Sequence, residues 1–506
     1  MSLFPVPSFA TFACLIIFYL VTKYTYRLFF HPLAHFPGPK LAAATTLHGV
    51  YWDIFQSGLV KELPKLHEKY GPVIRMKPNE LHVATLEGYN QIHRVGTPFQ
   101  RIWHDVPFLT GSLQSQETLR DTKTRKEFLS PFFSKAAIVR AEPILHRHKL
   151  TKFLSTLSTS SNTVVDLFLG FRCLTADTIM DYCFQADLNA LDSPGFQNET
   201  VDQFIKGFDI SLTATYFPNF FGVLNKIILA LPDSVRAKYF APVYGFQTMQ
   251  KLSRDRVEYQ IAHPEERKDR KIPTMFDAML APDVSRGQRT PEMRDMIAEG
   301  CLMIAAGTDT TANVLGLVVW HVTQDREIER KLVEELRRGI QERDAVVDSS
   351  KLEGKGFEYL RAVVKEGLRL GFGVPGQLAR KTPMEGARFG DVWVPGNTAI
   401  SSCIYMQNID AKTFPDPFRF DPERWLANPE TVTAREKQML SFSRGSRSCI
   451  GINLAYATLH LTTAHLFRRF EITTTGYTTA EDMIWNDRFL PAPQGRIRGL
   501  VKERKD

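Results

Sequence analysis

The chain has 506 residues, 43% of them hydrophobic and 23% charged, with 63 Lys and Arg against 55 Asp and Glu for a net charge of +8. That balance excludes a disordered or low-complexity chain, and the basic excess carries no nucleic-acid-binding motif with it. Six cysteines, Cys14, Cys173, Cys183, Cys301, Cys403 and Cys449, are scattered without a C-x-x-C pair, which excludes a disulfide framework and points to a reducing compartment.

Residues 1–22 carry no charged side chain, and the run from Phe9 to Val21 is dense in Phe, Leu, Ile, Ala and Val before Lys23 and Arg27. About 20 apolar residues span a bilayer. No small-residue cleavage site follows, so residues 1–22 read as a retained transmembrane signal anchor. The basic residues after it place the remainder in the cytosol, as a single-pass protein of the endoplasmic reticulum membrane. Residues 23–40, ending in FPGPK (Phe36–Lys40), read as a basic, proline-rich linker, and residues 41–506 as one domain without internal repeats. In this topology the sequon at Asn198 never meets the glycosylation machinery; a glycan there would reverse the orientation.

Val73–Ala84 (VIRMKPNELHVA) and Val392–Ser402 (VWVPGNTAISS) read as short strand pairs around turns, in a chain otherwise mostly helical in pattern. The mixed-sign run His263–Lys271 reads as a solvated loop between helices. From about Pro291 to Trp320 apolar residues run all round with no internal proline, which predicts a long buried helix of roughly 45 Å. At its middle, AAGTDTT holds Gly307, Asp309, Thr310 and Thr311. Glycine weakens a helix there, and an unpaired buried carboxylate costs more. Threonines bonding back to their own helix account for Thr310 and Thr311 but not for Asp309. Further on, EGLR sets Glu366 and Arg369 three apart on one helix face, and DPERW adds a third charge, Arg424. GFGVPG, Gly371–Gly376, satisfies a dinucleotide-binding pattern, yet it follows a helix, contains Pro375 and opens no helix, so it reads as a loop.

FSRGSRSCIG, Phe442–Gly451, reads as a socket for one metal-ligating thiolate that suits a haem iron. The helix-forming run after Gly451 begins almost at Cys449, and its amide dipoles favour a thiolate. Gly445 is free to take φ > 0, and Gly451 lets the backbone approach a flat ligand closely. Arg447 offers a forked donor to a carboxylate, of which haem carries two. Phe442 packs beside the sulfur and excludes water. A buried structural cysteine is the plainer alternative, and it leaves the other fixed positions unexplained. Arg444 and Lys437, close to this loop, suit a basic face for an acidic electron donor.

The pattern Phe-x-x-Gly-x-Arg-x-Cys-x-Gly resembles the haem-binding signature of the cytochrome P450 family, with every defining position matched. AAGTDTT, the Glu366–Arg369 pair and Pro-Glu-Arg424 resemble the family's other motifs in order, and the likeness covers about Phe36 to the C-terminus. It implies a mainly α fold with a small β-rich lobe, holding haem b with Cys449 as the axial iron ligand. It further implies that the long helix is locally opened near Thr310, that Thr310 hydrogen-bonds the co-substrate O₂, and that Asp309 joins a proton relay. Glu366, Arg369 and Arg424 become a buried structural cluster. Arg380 and Arg447 become propionate partners. Where the family places an aromatic residue or His four before an Arg, this chain has Asp121 and Thr122 ahead of Arg125 and Lys126. Arg125 is the preferred third contact and Lys126 the alternative.

In the same layout Phe108, Leu109, Met303, Ala306, Val374, Phe489 and Leu490 are expected pocket residues, and their apolar character suits a lipophilic small molecule. Electrons are expected from NADPH through NADPH–cytochrome P450 reductase, with cytochrome b5 as a further partner. Ser130–Lys135, Gly451–Ala457 and Asp487–Gly495 resemble microsomal enzymes of fungal secondary metabolism, including terpenoid oxygenases of the trichothecene type. The function implied is insertion of one oxygen atom from O₂ into a terpenoid, polyketide or alkaloid. The alternatives are an isomerase or dehydratase of the same fold and a non-catalytic haem sensor; the intact Asp309–Thr310 pair weighs against both.

Overall fold

A computed structural model describes residues 9–103, 107–143, 146–207, 209 and 216–505. Its organising element is a helix of 32 residues, Met293–Gln324. The predicted end at Trp320 is passed because the polar last turn has partners: Thr323 meets the Thr474 hydroxyl at 2.6 Å, and the Gln324 amide donates to it at 2.9 Å. Helices Leu167–Phe184, Ala241–Ala262, Glu358–Gly371 and Ile452–Arg469 pack around it. Its apolar residues therefore face two cores at once, Leu315 and Val318 in one, Met296 and Ile304 in the other. At Gly307 a Cβ would lie 2.6 Å from Ile179 Cγ1. Glycine is what lets helix Leu167–Phe184 touch the middle of the long helix. The local opening expected near Thr310 is not seen; the chain stays helical throughout, with the Thr308 and Thr310 hydroxyls bonded to the carbonyls of Ile304 and Ala306 at 2.8 Å each.

The strands are β1 Val73–Lys77, β2 Glu80–Val83, β3 Gln100–Arg101, β4 Thr163–Asp166, β5 Arg380–Lys381, β6 Ala387–Phe389, β7 Val392–Val394, β8 Ala399–Ser401, β9 Phe470–Thr473, β10 Trp485–Asp487, β11 Pro491–Pro493 and β12 Arg498–Glu503. A five-stranded sheet in the order β1-β2-β8-β5-β3 forms the small lobe. β1 and β2 pair around their turn as predicted, Val73 opposite Val83. β7 and β8 do not pair with each other. β7 pairs with β6, while β8 enters the sheet between β2 and β5. The turn between them is captured by Thr382, whose carbonyl and hydroxyl accept the N–H groups of Asn397 and Thr398. The run His263–Lys271 likewise departs from a solvated loop: it holds a short helix, Glu266–Asp269, and draws Arg270 in to Glu266 and Asp277. Gly371–Gly376 is a loop.

At the N-terminal end, helix Phe9–Thr25 continues as a wider turn through Phe30. These 22 residues have a mean hydropathy of 1.4 and none is buried, which makes a helix long and apolar enough to cross a membrane. Residues 1–8 of the expected anchor lie outside the described residues, and its expected end at residue 22 falls inside this helix. Part of the expected linker belongs to the lobe: Leu33 and Phe36 are buried against Val73, Leu81 and Ile400. The Arg27 guanidinium donates to the Ala44 carbonyl at 2.7 Å, and buried Arg75 donates to the Arg27 carbonyl at 2.9 Å.

Candidate active site

The cysteine loop is closed by its own backbone. Cys449 N–H donates to the Phe442 carbonyl at 2.9 Å, and Gly445 sits at φ +70°, where a Cβ would lie 1.7 Å from the His93 carbonyl oxygen. Glycine is required there for both reasons. Gly451 is different, since a Cβ on it would meet no protein atom within 4 Å; it borders open space. That space is a cavity of about 230 Å³ lined by Phe442, Arg447, Cys449 and Gly451 together with the middle of the long helix. The exposed surface of Cys449 faces this interior. Burial raises its thiol pKa, with the Gly451 N–H and Lys126 pulling it back by less. The helix-start field expected to favour the thiolate is thus outweighed, and a coordinating metal is what deprotonates such a thiol.

Cations gather on the same cavity. Arg101, Lys126 and Arg447 line it, and Arg380 stands opposite Arg101 in the β3–β5 pair. Burial and mutual repulsion lower Arg101 well below its usual range and bring Arg380 down to about 10. Arg447, donating to the Glu117 and Thr118 carbonyls at 2.9 and 3.3 Å, is also lowered to about 10 by burial. Among the described residues none of the four is ion-paired. Arg125 is not one of them. Its guanidinium reaches Asp295 at 3.1 Å, the Gly111 carbonyl at 3.1 Å and buried Glu299 at 3.6 Å. Lys126 takes the place foreseen for Arg125 and donates to the Ser448 carbonyl at 3.2 Å. Adjacent helix residues point about 100° apart, so only one of the two can face the cavity. Thr122, four residues earlier, lines it with Lys126.

Opposite the cysteine, Met303, Ala306, Gly307, Thr310 and Thr311 form one wall, joined by Leu113, Gln114, Phe133 and Ile179. The other expected pocket residues lie outside this wall. Phe108 stacks on Phe246 at 5.3 Å and Leu109 shares that core; Val374, Phe489 and Leu490 belong to loops beyond it, with Leu490 only 3% exposed. Asp309 is buried and faces away from the cavity, held by the Arg172 Nε–H at 2.8 Å. The carboxylate that the sequence left unexplained in a helix interior is therefore paired.

Glu366, Arg369 and Arg424 meet as a buried cluster outside the cavity lining. Arg369 donates twice to Glu366, at 2.9 and 2.7 Å, and Arg424 once at 3.3 Å; Trp425 Nε1 and Asp421 N–H complete the carboxylate at 3.0 Å each. Arg444, expected on a basic outer face, instead donates to the Glu436 carbonyl and to Asn90, and so caps the last turn of helix Pro429–Gln438. Lys437 remains exposed.

Asp487, which begins the loop carrying Phe489, is 5% exposed and receives the Phe489 N–H at 3.0 Å. Burial, reinforced by nearby Asp53, pushes its pKa up to about 7. The folded state then binds an extra proton between about pH 4 and 7, so stability falls as pH rises through that window. Asp487→Asn keeps the acceptor and removes the charge. Its stability should gain on the unaltered chain by up to about 1.4 kcal/mol per pH unit across the window. A gap between the two melting curves that stays constant from pH 4 to 8 would refute this.

Four cations with no carboxylate in ion-pair reach call for a dianion, and a cysteine sulfur open to the same cavity calls for a metal that binds thiolate. Haem supplies both, and the protein is thereby of the haem-thiolate class. The family model described as Cytochrome P450 matches residues 42–495, and the chain belongs to that family. It is 30% identical over 516 residues, covering 100% of this chain and 99% of the relative, to cytochrome P450 monooxygenase macH of Penicillium terrestre. It is 32% identical to N-acetyltryptophan 6-hydroxylase ivoC of Emericella nidulans (98% and 97% covered). To cytochrome P450 monooxygenase TRI4 of Trichoderma arundinaceum it is 30% identical (94% and 91% covered). The chain is a cytochrome P450 monooxygenase of the fungal secondary-metabolism type.

Proposed function

We propose that this monooxygenase oxidises a lipophilic fungal secondary metabolite at the endoplasmic reticulum membrane, with NADPH electrons delivered by cytochrome P450 reductase and cytochrome b5 as a second donor. The observation that carries the reading is the single cavity in which Cys449 faces Thr310, Ala306 and Met303. When bound, haem supplies O₂ activation, with one oxygen atom going to a substrate C–H bond and the other to water. The residues supply the rest. Cys449 is the iron ligand, and Arg101, Lys126, Arg380 and Arg447 neutralise the propionates. Met303, Ile179, Leu113 and Phe133 exclude water and bind apolar substrate, while Gln114 offers a polar group in that wall. Thr310 presents its hydroxyl to the cavity. Asp309 stands behind it as the relay carboxylate, its charge balanced by Arg172.

Exposed apolar residues support the membrane setting. Besides the helix Phe9–Phe30, the exposed side chains of Tyr51, Ile54 and Phe55 and of Phe220, Val223 and Ile227 are linked by the hydrogen bond from Tyr216 to Asp53. Such a surface suits lipid. Co-expression with a reductase in yeast, fed terpenoid, polyketide and alkaloid precursors and read by mass spectrometry, tests the reading; a haem-loaded chain that oxidises nothing while reducible by the reductase would overturn it. Thr310→Ala should retain haem and divert most NADPH electrons into peroxide, a severalfold loss of product per NADPH. Unchanged coupling would remove Thr310 from proton handling.

A further inference from the structure

Glu299 and Arg125 belong neither to the cation set nor to the cavity lining. Glu299, on the long helix, and Arg125, on helix Leu119–Phe132, are both buried, and both hold the same short segment. The Glu299 carboxylate accepts the Leu113 N–H at 2.9 Å, while the Arg125 guanidinium donates to the Gly111 carbonyl at 3.1 Å and pairs with Asp295 at 3.1 Å and Glu299 at 3.6 Å. Segment 111–113 is thus clamped from two helices at once. Gly111 permits the close approach, since it sits at φ +104° and a Cβ there would collide with the Asp295 carboxylate. Its N–H is taken by Ser115 Oγ at 2.9 Å, and its carbonyl is shared with the Gln116 amide at 3.3 Å. The segment has little freedom to shift.

Stability does not account for this clamp. A buried ion pair repays its desolvation only when its remaining polar atoms are satisfied, and among the described residues Glu299 Oε1 and Arg125 Nη1 have no hydrogen-bond partner. Position does account for it. Leu113 and Gln114 of the clamped loop line the cavity, as do Leu302 and Met303, one turn after Glu299, and Thr122 and Lys126, on the helix that carries Arg125. One ion-paired knot therefore joins three parts of the same lining. Leu113 is apolar, whereas Gln114 brings an amide that has no hydrogen-bond partner among the described residues.

We propose that Glu299 and Arg125 set the orientation of the substrate: they hold the backbone of segment 111–113 so that the Gln114 amide grips an oxygen of an otherwise apolar molecule, which fixes the carbon that is oxidised. This rests on the monooxygenase reading and narrows its substrate to a lipophilic molecule bearing a carbonyl or hydroxyl group. Glu299 and Arg125 act through the loop and are positioning residues. Gln114 is the residue that touches the substrate.

Glu299→Leu removes the acceptor of the Leu113 N–H, and Glu299→Gln keeps the acceptor without the charge. Burial already pushes the Glu299 pKa up to about 7, against smaller pulls from Arg125 and the Leu113 N–H, so the fold accepts a neutral group there. In the haem-loaded protein the amides of residues 111–114 should exchange with deuterium about tenfold faster in Glu299→Leu than in the unaltered chain, with Glu299→Gln close to the latter. With an oxygen-bearing substrate accepted in the yeast panel, Glu299→Leu and Gln114→Leu should each raise KM about fivefold at nearly constant kcat and shift product toward a second position of oxidation. Glu299→Gln should keep the original product. Unchanged exchange, or an unchanged product ratio, in Glu299→Leu would overturn the proposal. Should that variant fail to fold, Arg125→Met, which leaves Asp295 in contact with solvent, carries the same two readouts from the other side of the clamp. An unaltered chain that oxidises nothing would strike the monooxygenase reading, and the exchange measurement, which needs no turnover, then decides the clamp alone.

Discussion

Cys449→Ala abolishes thiolate ligation: the red-shifted carbon monoxide band of the reduced protein disappears, and product formation falls to background. No second thiol lines the cavity among the described residues. Cys173, Cys183, Cys301 and Cys403 are buried away from the cavity wall, and Cys14 lies on the N-terminal helix. Among the described residues no group of three or more His, Cys, Asp or Glu stands ready to hold the metal elsewhere. The loop itself does not depend on the sulfur, because the bond from Cys449 N–H to the Phe442 carbonyl and the packing of Gly445 on His93 involve backbone. The variant should therefore fold and fail chemically. A thiolate-type band surviving in it would remove Cys449 as the ligand.

Glu366→Gln acts on the scaffold and should cost roughly 3–5 kcal/mol, the usual penalty for stranding buried charges by removing one partner. Arg369 and Arg424 are nearly inaccessible, and Glu366 is wholly so. Its carboxylate takes five donors from four residues besides itself, and an amide oxygen cannot accept them all. Arg369 also donates to the carbonyls of Asn408, Pro417 and Arg419, so its loss of a counter-ion loosens the segment that leads to the cysteine loop. The expected readout is a sharp fall in thermal midpoint together with a low yield of haem-loaded protein. A midpoint within one or two degrees of the unaltered chain would show that the cluster is dispensable.

What the sequence made legible follows from how each signal is encoded. The cysteine socket is contiguous, and the long helix announces itself by composition over thirty residues, so both can be read without knowing a partner. β7 and β8 could not be paired correctly because the choice lies with Thr382, outside the segment. Arg101 gave no local sign; it lines the cavity from a two-residue strand placed by its pairing with Arg380. The choice between Arg125 and Lys126 was within reach, since Thr122 and Lys126 share the four-residue spacing of one helix face. The pocket walls were read least well, because loops and neighbouring helices, and not motifs, decide which apolar side chains face inward.

The fastening of Arg27 and Arg75 bears on how the molecule is carried. A proline-rich stretch alone would be a swivel, allowing the globular part to roll beneath its helix. Here the helix end is bolted to the small lobe by two guanidinium contacts, and Leu33 and Phe36 are sunk into that lobe just beyond. The helix Phe9–Phe30 is thus a strut with a fixed bearing on the small lobe.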